Sequence, residues 1–446
     1  MTHSALSLSH AQFFLSLGFM LLFLALELGL AWVLLYFKLR TFGSNATAWM
    51  GAYRFWVRLF ALAFILSFAA SMPVLIQFGS VWPGLMEQVG DVIGPMLAAS
   101  MLSLFIFKSC FLGVMLFAQR MLSNLVHTLV VLMVALGVTV TAFWLVAIVA
   151  WMQVPTGVDV IEGHYVVMEW LDVLSTPALP WYAGLLFAGS LLTVAFFMLG
   201  VTCAQTMQKP VTDQERLAFR SALFLGAGAW LALVFAVVGN GFMTAEHQPA
   251  KAAAAAAYWE SGSQPDLILV AATSAMQDSV LGVLRWSHAG GRWLGRNDSG
   301  ILTGLDQFSE AMPPVTLTFW SFRVAVLAGT LMLFLLLWVM LRTRRYGLDP
   351  HSLSYRERQL MVAASVLGWI LLLGGAAYVL LGFLPYLVGN DIKAVQVQST
   401  ESVFTVGLGL LFYGLVYVLC MIGFFQKLRH AVRFGVVPIA RHRGRA

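Results

Sequence analysis

Charged side chains are scarce in this chain: Asp, Glu, Lys and Arg make up 10% of its 446 residues, against 60% hydrophobic residues and a mean hydropathy of +0.85. That balance excludes a soluble globular enzyme and indicates a polytopic membrane protein. Cysteine is rare too. Cys110, Cys203 and Cys420 each lie inside an apolar run with no CxxC pair, so they read as small buried hydrophobes, not as metal ligands or disulfide halves. There is no P-loop, no GxGxxG ahead of a helix and no HExxH, and the Gly290-Gly291 and Gly374-Gly375 pairs sit outside any phosphate-cradling context. No fixed period repeats, which excludes a solenoid, and no pair of Gly/Pro-broken helices marks an inverted transporter repeat. The first apolar run has no Lys or Arg before it, so it lacks the basic region of a cleavable signal and is expected to be a retained span.

What the chain does have is apolar length. Nine runs are long enough to cross a bilayer as helices of about 20 residues, at 13–39, 55–78, 95–117, 125–151, 181–205, 219–238, 315–341, 360–387 and 403–425. The expected fold is therefore all-α, nine transmembrane helices in a single membrane domain over 1–446. With the N-terminus outside, 20 of the 26 Lys and Arg fall on inner loops or the inner halves of helices. Six fall outside: Lys251, Arg285, Arg292, Arg296, Arg323 and Lys393. Such a bias sets an N-out, C-in topology. The calculated pI of 9.3 then reports basic inner loops beside anionic lipid, not a nucleic-acid partner. The basic tail of Arg429, His430, Arg433, Arg441, His442, Arg443 and Arg445 suits the same lipid surface.

Three outer connections stand out. Residues 77–94 and 152–180 carry acids (Glu87, Asp91; Asp159, Glu162, Glu169, Asp172) and no Lys or Arg, and both read as loops. The third, 239–312, lies between the sixth and seventh helices and is the one large enough to act as an element by itself. Its alanine tract after Lys251 favours a short external helix, whereas 288–300 reads as exposed loop with Arg292, Arg296 and Asp298 solvated.

Several helix–loop junctions carry specific motifs. Gln77-Phe78-Gly79-x-x-Trp82 is followed by Val89-Gly90-Asp91-x-x-Gly94. Ala142-x-Trp144 leads to Trp151-Met152-Gln153-x-Pro155-x-Gly157. Phe322-Arg323 lies in the seventh helix, and Gln248-Pro249-x-Lys251-x-Ala253-Ala254 precedes Trp259-Glu260. Together these resemble subunit I of the cytochrome bd quinol oxidases. The resemblance spans most of the chain and weakens after about residue 340. It implies nine helices, N-out, in the inner membrane of a prokaryote, a quinol-binding loop over 239–312 with Lys251 at its start, and a second integral-membrane subunit as partner.

The resemblance also implies haem ligands, and here the sequence departs from the pattern. Counted from the motifs, the position of the family's helix-three Glu holds Ser100 and that of the helix-seven Met holds Ala325. The helix-one His falls on Met20 and the helix-five His on Leu185. A second helix-three acid falls on Lys108, the loop Glu that accompanies Lys251 falls on Ala256, and Gly-Arg-x-Pro-Trp becomes Gly382-Phe383-Leu384-Pro385-Tyr386. Ser, Leu and Ala do not ligate haem iron; imidazole, thioether, thiolate or phenolate do. Met20 is the one replacement that can, though a Met on an apolar helix is ordinarily core filling. Of nine His residues, His127 alone is expected inside a span, and the rest belong to termini, loops or margins.

Two charges remain within apolar runs, Glu27 in the first helix and Lys108 in the third. Charges at that depth are functional candidates by default, and the two are at matching depths for an ion pair. The reading that follows is a haem-poor subunit I-like component of a bd-type respiratory membrane complex, accessory to a haem-bearing chain. No haem b or d is expected on it except in complex with that chain, and quinol and lipid are the small partners. Two readings stand beside it: a divergent bd-type quinol oxidase subunit that still binds haem, through Met20 or another ligand, and transfers electrons to oxygen, and a proton or small-molecule conduit built on Glu27 and Lys108.

Overall fold

The computed structural model describes residues 2–262, 267–273, 280–286, 302–399 and 401–435. Arg292, Arg296, Asp298 and the tail residues Arg441, His442, Arg443 and Arg445 lie outside them, as does the side chain of Lys108.

Among the described residues, nine helices are long and apolar enough to cross a membrane. Helices one to nine run Ser7–Arg40, Ala46–Val81, Pro83–Phe117, Asn124–Gln153, Leu179–Thr206, Asp213–His247, Val315–Tyr346, Tyr355–Leu381 and Val403–Phe434. A helix satisfies its own backbone groups, which is why these apolar sequences adopt it where lipid offers no partner. Most helices are longer than their apolar runs because polar caps extend them. Thr212 and Glu215 form a capping box at the start of helix six, and Ser354 with Glu357 does the same for helix eight. Ser123 and Ser402 cap helices four and nine.

Helix one is the centre of the bundle. Its most apolar stretch is 78% buried and that of helix five 72%, against 11% for helix nine. Glycines let these central helices approach closely: a Cβ on Gly29 would come 2.8 Å from the Ser190 carbonyl oxygen, and one on Gly368 would come 2.5 Å from Cα of Thr193. Two spans are irregular. Helix three contains a π-helical turn at Leu104–Ser109, and helix eight is interrupted between Ala364 and Leu367.

The all-α fold expected from the sequence is present, with three short antiparallel pairs outside the spans that join Val158–Ile161 to His164–Val167, Leu267–Thr273 to Val280–Trp286, and Tyr386–Val388 to Ile392–Lys393. Two features differ from the sequence reading. Residues 77–94 are not a loop, because helix two continues to Val81 and helix three starts at Pro83, with Trp82 alone between. Pro at the first helical position needs no hydrogen-bonded N–H, so the chain can restart there at once. Helix six likewise runs on to His247, taking the first nine residues of the 239–312 connection with it.

Candidate functional site: a buried lysine at the head of an apolar cavity

The alanine-rich segment forms the helix Pro249–Ala256, as its composition requires. It carries Lys251 inward until 2% of the residue is exposed. Lys251 Nζ donates to Gln248 Oε1 (3.0 Å), the Val379 carbonyl (3.0 Å), Gln153 Oε1 (3.2 Å) and the Tyr182 hydroxyl (3.5 Å), and it stands 4.9 Å from the centre of the Tyr378 ring. Gln153 is the hub: its Oε1 also accepts from Tyr182 (2.5 Å) and Gln248 Nε2 (3.1 Å), while its Nε2 donates to Val379 O (2.8 Å).

Arg323 holds this helix from the other side. Its guanidinium, stacked 3.3 Å from the Phe319 ring centre, donates to the carbonyls of Ala255 (2.7 Å), Phe319 (3.1 Å), Leu269 (2.9 Å) and Ile268. One side chain thus ties helix seven, the Lys251 helix and the second hairpin together. Bidentate and forked donation of this kind is what Arg does and Lys does not.

All four hydrogen-bond partners of Lys251 are neutral. Burial pulls the amine down from its ordinary 10.5 to about 7, because the charged form loses hydration with no carboxylate to replace it. The amine is therefore able to hold or release a proton near neutrality. Linkage fixes the sign of its effect on stability. The folded pKa is depressed, so between about 7 and 10.5 the unfolded chain binds more protons than the folded one, and stability rises with pH across that window. The thermal midpoint of the purified protein should climb from pH 7 to 9, and Lys251→Met should flatten that segment. Equal slopes for both proteins would place the titrating group elsewhere.

Gln153, Tyr182, Tyr378 and Val379 also form one end of a cavity of about 600 Å³ that extends among the helices. The volume is that of a small-molecule site. Met20, Ser100, Leu185 and Ala325, which come from four different helices, all line it. So do Phe78, Trp82 and Met152 of the junction motifs.

The remaining motif residues serve structure or face outward. Trp151 is fully buried and donates to the Thr156 carbonyl (3.1 Å). Gly157 is needed as glycine: its φ is +69°, and a Cβ would meet the Glu169 carbonyl oxygen at 2.6 Å. Pro155 packs on the turn at Gly389, and Trp144 is half-buried. Gln77 is buried with no protein partner on its amide, whereas Gly79, Gly90 and Gly94 have open space beside them and Asp91 is exposed. Glu27 is fully buried in helix one and does not line the cavity; the π-helical turn bearing Lys108 packs on helix four. His10 proves to lie inside helix one, 5.5 Å from Trp82, so His127 is not the one span histidine. His127 Nε2 contacts the Met115 carbonyl (3.1 Å), and neither imidazole lines the cavity.

Sequence reasoning missed Tyr182, Tyr378 and Asn240. A tyrosine or asparagine near a helix end has no distinguishing local pattern, and these residues meet Lys251 or the cavity only through packing of distant segments. Gln248 did carry a signal, since three residues before Lys251 on a helix is contact spacing.

A family model of the cytochrome bd terminal oxidase subunit I matches residues 8–436. The chain belongs to that family. It is 26% identical over 389 residues to the cytochrome bd ubiquinol oxidase subunit 1 of Bacillus subtilis (strain 168), covering 82% of each chain. To the cytochrome bd-II ubiquinol oxidase subunit 1 of Escherichia coli (strain K12) it is 23% identical, covering 96% of each. The structure of bd oxidase from Geobacillus thermodenitrificans superposes with a TM-score of 0.86 at 22% identity, over 97% of this chain and 99% of that one, so the fold is shared throughout. This bd subunit I family member is accordingly a multi-pass protein of the inner membrane.

Haem is the group the family implies, and the cavity can be tested for it. A low-spin b haem needs two axial ligands from opposite sides. Leu185 and Ala325, at the positions counted for those ligands, supply none. Tyr182 is engaged with Gln153, and no imidazole lines the space; its thioethers, Met20, Met72, Met101 and Met152, stand at neither of the two positions counted for the low-spin ligands. The residues at those two positions do not fit a six-coordinate haem.

Proposed function

We propose that this chain is a haem-poor subunit I-like component of a bd-type respiratory complex, serving as structural partner to a second, haem-bearing integral-membrane chain. The observation that carries the reading is the convergence of Met20, Ser100, Leu185 and Ala325 on one cavity that no imidazole lines. Loss of a single ligand is a point change. Four non-ligating or weakly ligating side chains around one space describe a subunit that keeps its packing while the redox chemistry sits elsewhere. The charge asymmetry of the sequence supports an N-out, C-in orientation, with Lys251 at the outer end.

Quinol enters this reading as a molecule bound, not oxidised. Lys251 remains as a donor for a ring oxygen, but Ala256, half-buried on the same helix, has no proton-accepting group. A tagged copy extracted gently from native membranes should bring down a second integral-membrane chain, with the haem absorbance following that chain when the two are separated. Haem that stays with the tagged chain after separation would overturn the proposal.

A further inference from the structure

The cavity is not sealed. Val234 and Val238 of helix six and Val326 of helix seven line it and are also 38%, 45% and 44% exposed on the bundle surface. Thr330, one turn beyond Val326, lines it and is exposed as well, with its hydroxyl donating to the Val326 carbonyl at 2.8 Å. These residues mark a lateral window between two helices. Val326 lies eleven residues from Val315, where helix seven and its apolar run both begin. At about 1.5 Å per residue this side of the window sits roughly 15 Å below the start of that run, near the middle of a hydrocarbon core about 30 Å thick, while Val238 marks its outer edge. What reaches it is the hydrocarbon interior of the membrane.

The inside of the cavity is built to match. Its walls are predominantly Leu, Val, Met and Phe, and a Cβ added at Gly375, which lines it, would meet nothing within 4 Å. The wall also carries polar side chains, among them Asn240 of helix six. Asn240 is 5% exposed, lines the cavity, and its Oδ1 has no hydrogen-bond partner in the protein. A buried amide oxygen left unpaired is destabilising, so a guest that supplies a polar atom there gains what the empty arrangement loses. Either end of the amide can serve, since rotation about its last bond exchanges donor for acceptor.

We infer that this cavity holds a single long hydrocarbon chain drawn laterally from the membrane, with an oxygen-bearing end at Asn240 and its tail at the window between helices six and seven. The inference rests on the reading that no haem fills the space. Two sources share the required chemistry, the acyl chain of a lipid and an isoprenoid chain with an oxygenated head.

The test uses the full-length protein in detergent, washed through several exchanges and extracted with organic solvent, with acyl and isoprenoid chains quantified separately by mass spectrometry. About one chain of one class per protein is expected, as for a saturated enclosed site. Gly375→Phe, which places a ring in the open space, and Ala325→Leu, which narrows the cavity from helix seven, should each lower that content about tenfold, equivalent to ~1.4 kcal/mol of lost affinity. Gly423→Phe, on helix nine away from the cavity and with open space at its Cβ, should retain it. If one cavity variant fails to fold, the other carries the comparison. Chain content far below one per protein without haem, or content unchanged in a folded cavity variant, would overturn this inference and leave the haem-poor reading standing. One haem per chain would overturn both.

Discussion

Arg323→Met should loosen the whole Lys251 end of the molecule. The guanidinium serves four carbonyls in three separate segments: Phe319 on its own helix, Ala255 at the end of the Lys251 helix, and Ile268 and Leu269 on the second hairpin. Hydrogen bonds from a charged donor are worth about 1.5–3 kcal/mol each, and they do not add fully. Part of the loss is recovered by water, since Leu269 is exposed, which brings the expected cost to about 3–5 kcal/mol. Because all three segments meet on this one guanidinium, the effect should be local before it is global. Limited proteolysis should cut between residues 257 and 286 much faster in Arg323→Met than in the unmodified protein, while cleavage elsewhere stays constant. Arg323→Lys should rescue little, because an ammonium cannot fork across carbonyls on both sides. Unchanged cleavage in Arg323→Met would show that the hairpin and helix hold without it.

The second large effect separates two neighbours that look equally important. Gln153→Leu leaves the Tyr182 hydroxyl and one Gln248 N–H without their Gln153 acceptor, deprives Lys251 of one acceptor and removes a donor from Val379 O. At about 1–3 kcal/mol per stranded buried group, a loss of ~3–5 kcal/mol is expected. Lys251→Met should behave otherwise. After it, Gln153 Oε1 still has Tyr182 and Gln248, and Val379 O still has Gln153, so the main loss is one donor to Gln248 Oε1. Against that stands relief from burying a cation. Below pH 7 Lys251→Met should therefore be no less stable than the unmodified protein, whereas Gln153→Leu should be clearly less stable at every pH. Equal destabilisation by both variants in thermal unfolding at pH 6 would refute this ordering. The predicted ordering would support the proposal that Lys251, positioned by four partners, is kept for binding.

Much of this architecture was legible in the sequence because lipid imposes one rule. Apolar runs of sufficient length must become helices, and nine of them appear in the structure within a few residues of their polar caps. The Lys251 helix was legible from its alanines, and the family from junction motifs that the structure places at the heads of helices. Residues 77–94 were misread because Gly, Pro and acids suggest turns, while the buried stripe of Leu85, Val89, Val92, Ile93 and Met96 keeps helical spacing through them. The three hairpins escaped notice because strands of two to seven residues leave too short an alternation to detect. Of the cavity, the residues at the counted ligand positions could be read along the chain, but the lateral window and the Asn240 amide could not, since both depend on how distant helices pack. A charge pair between Glu27 and Lys108 remains a proposal; the fold places Glu27 in the central helix and the Lys108 turn against helix four.

The central claim is that this member of a haem-binding family carries no haem on its own side chains. Its most direct test is haem per polypeptide in the separated, folded chain, read from the reduced-minus-oxidised spectrum and from extracted haem against protein mass. The account predicts a spectrum without a b-type band and haem far below one equivalent, unchanged by Met20→Leu. A b-type band at about one equivalent per chain, diminished by Met20→Leu or by substitution of His10, would contradict it.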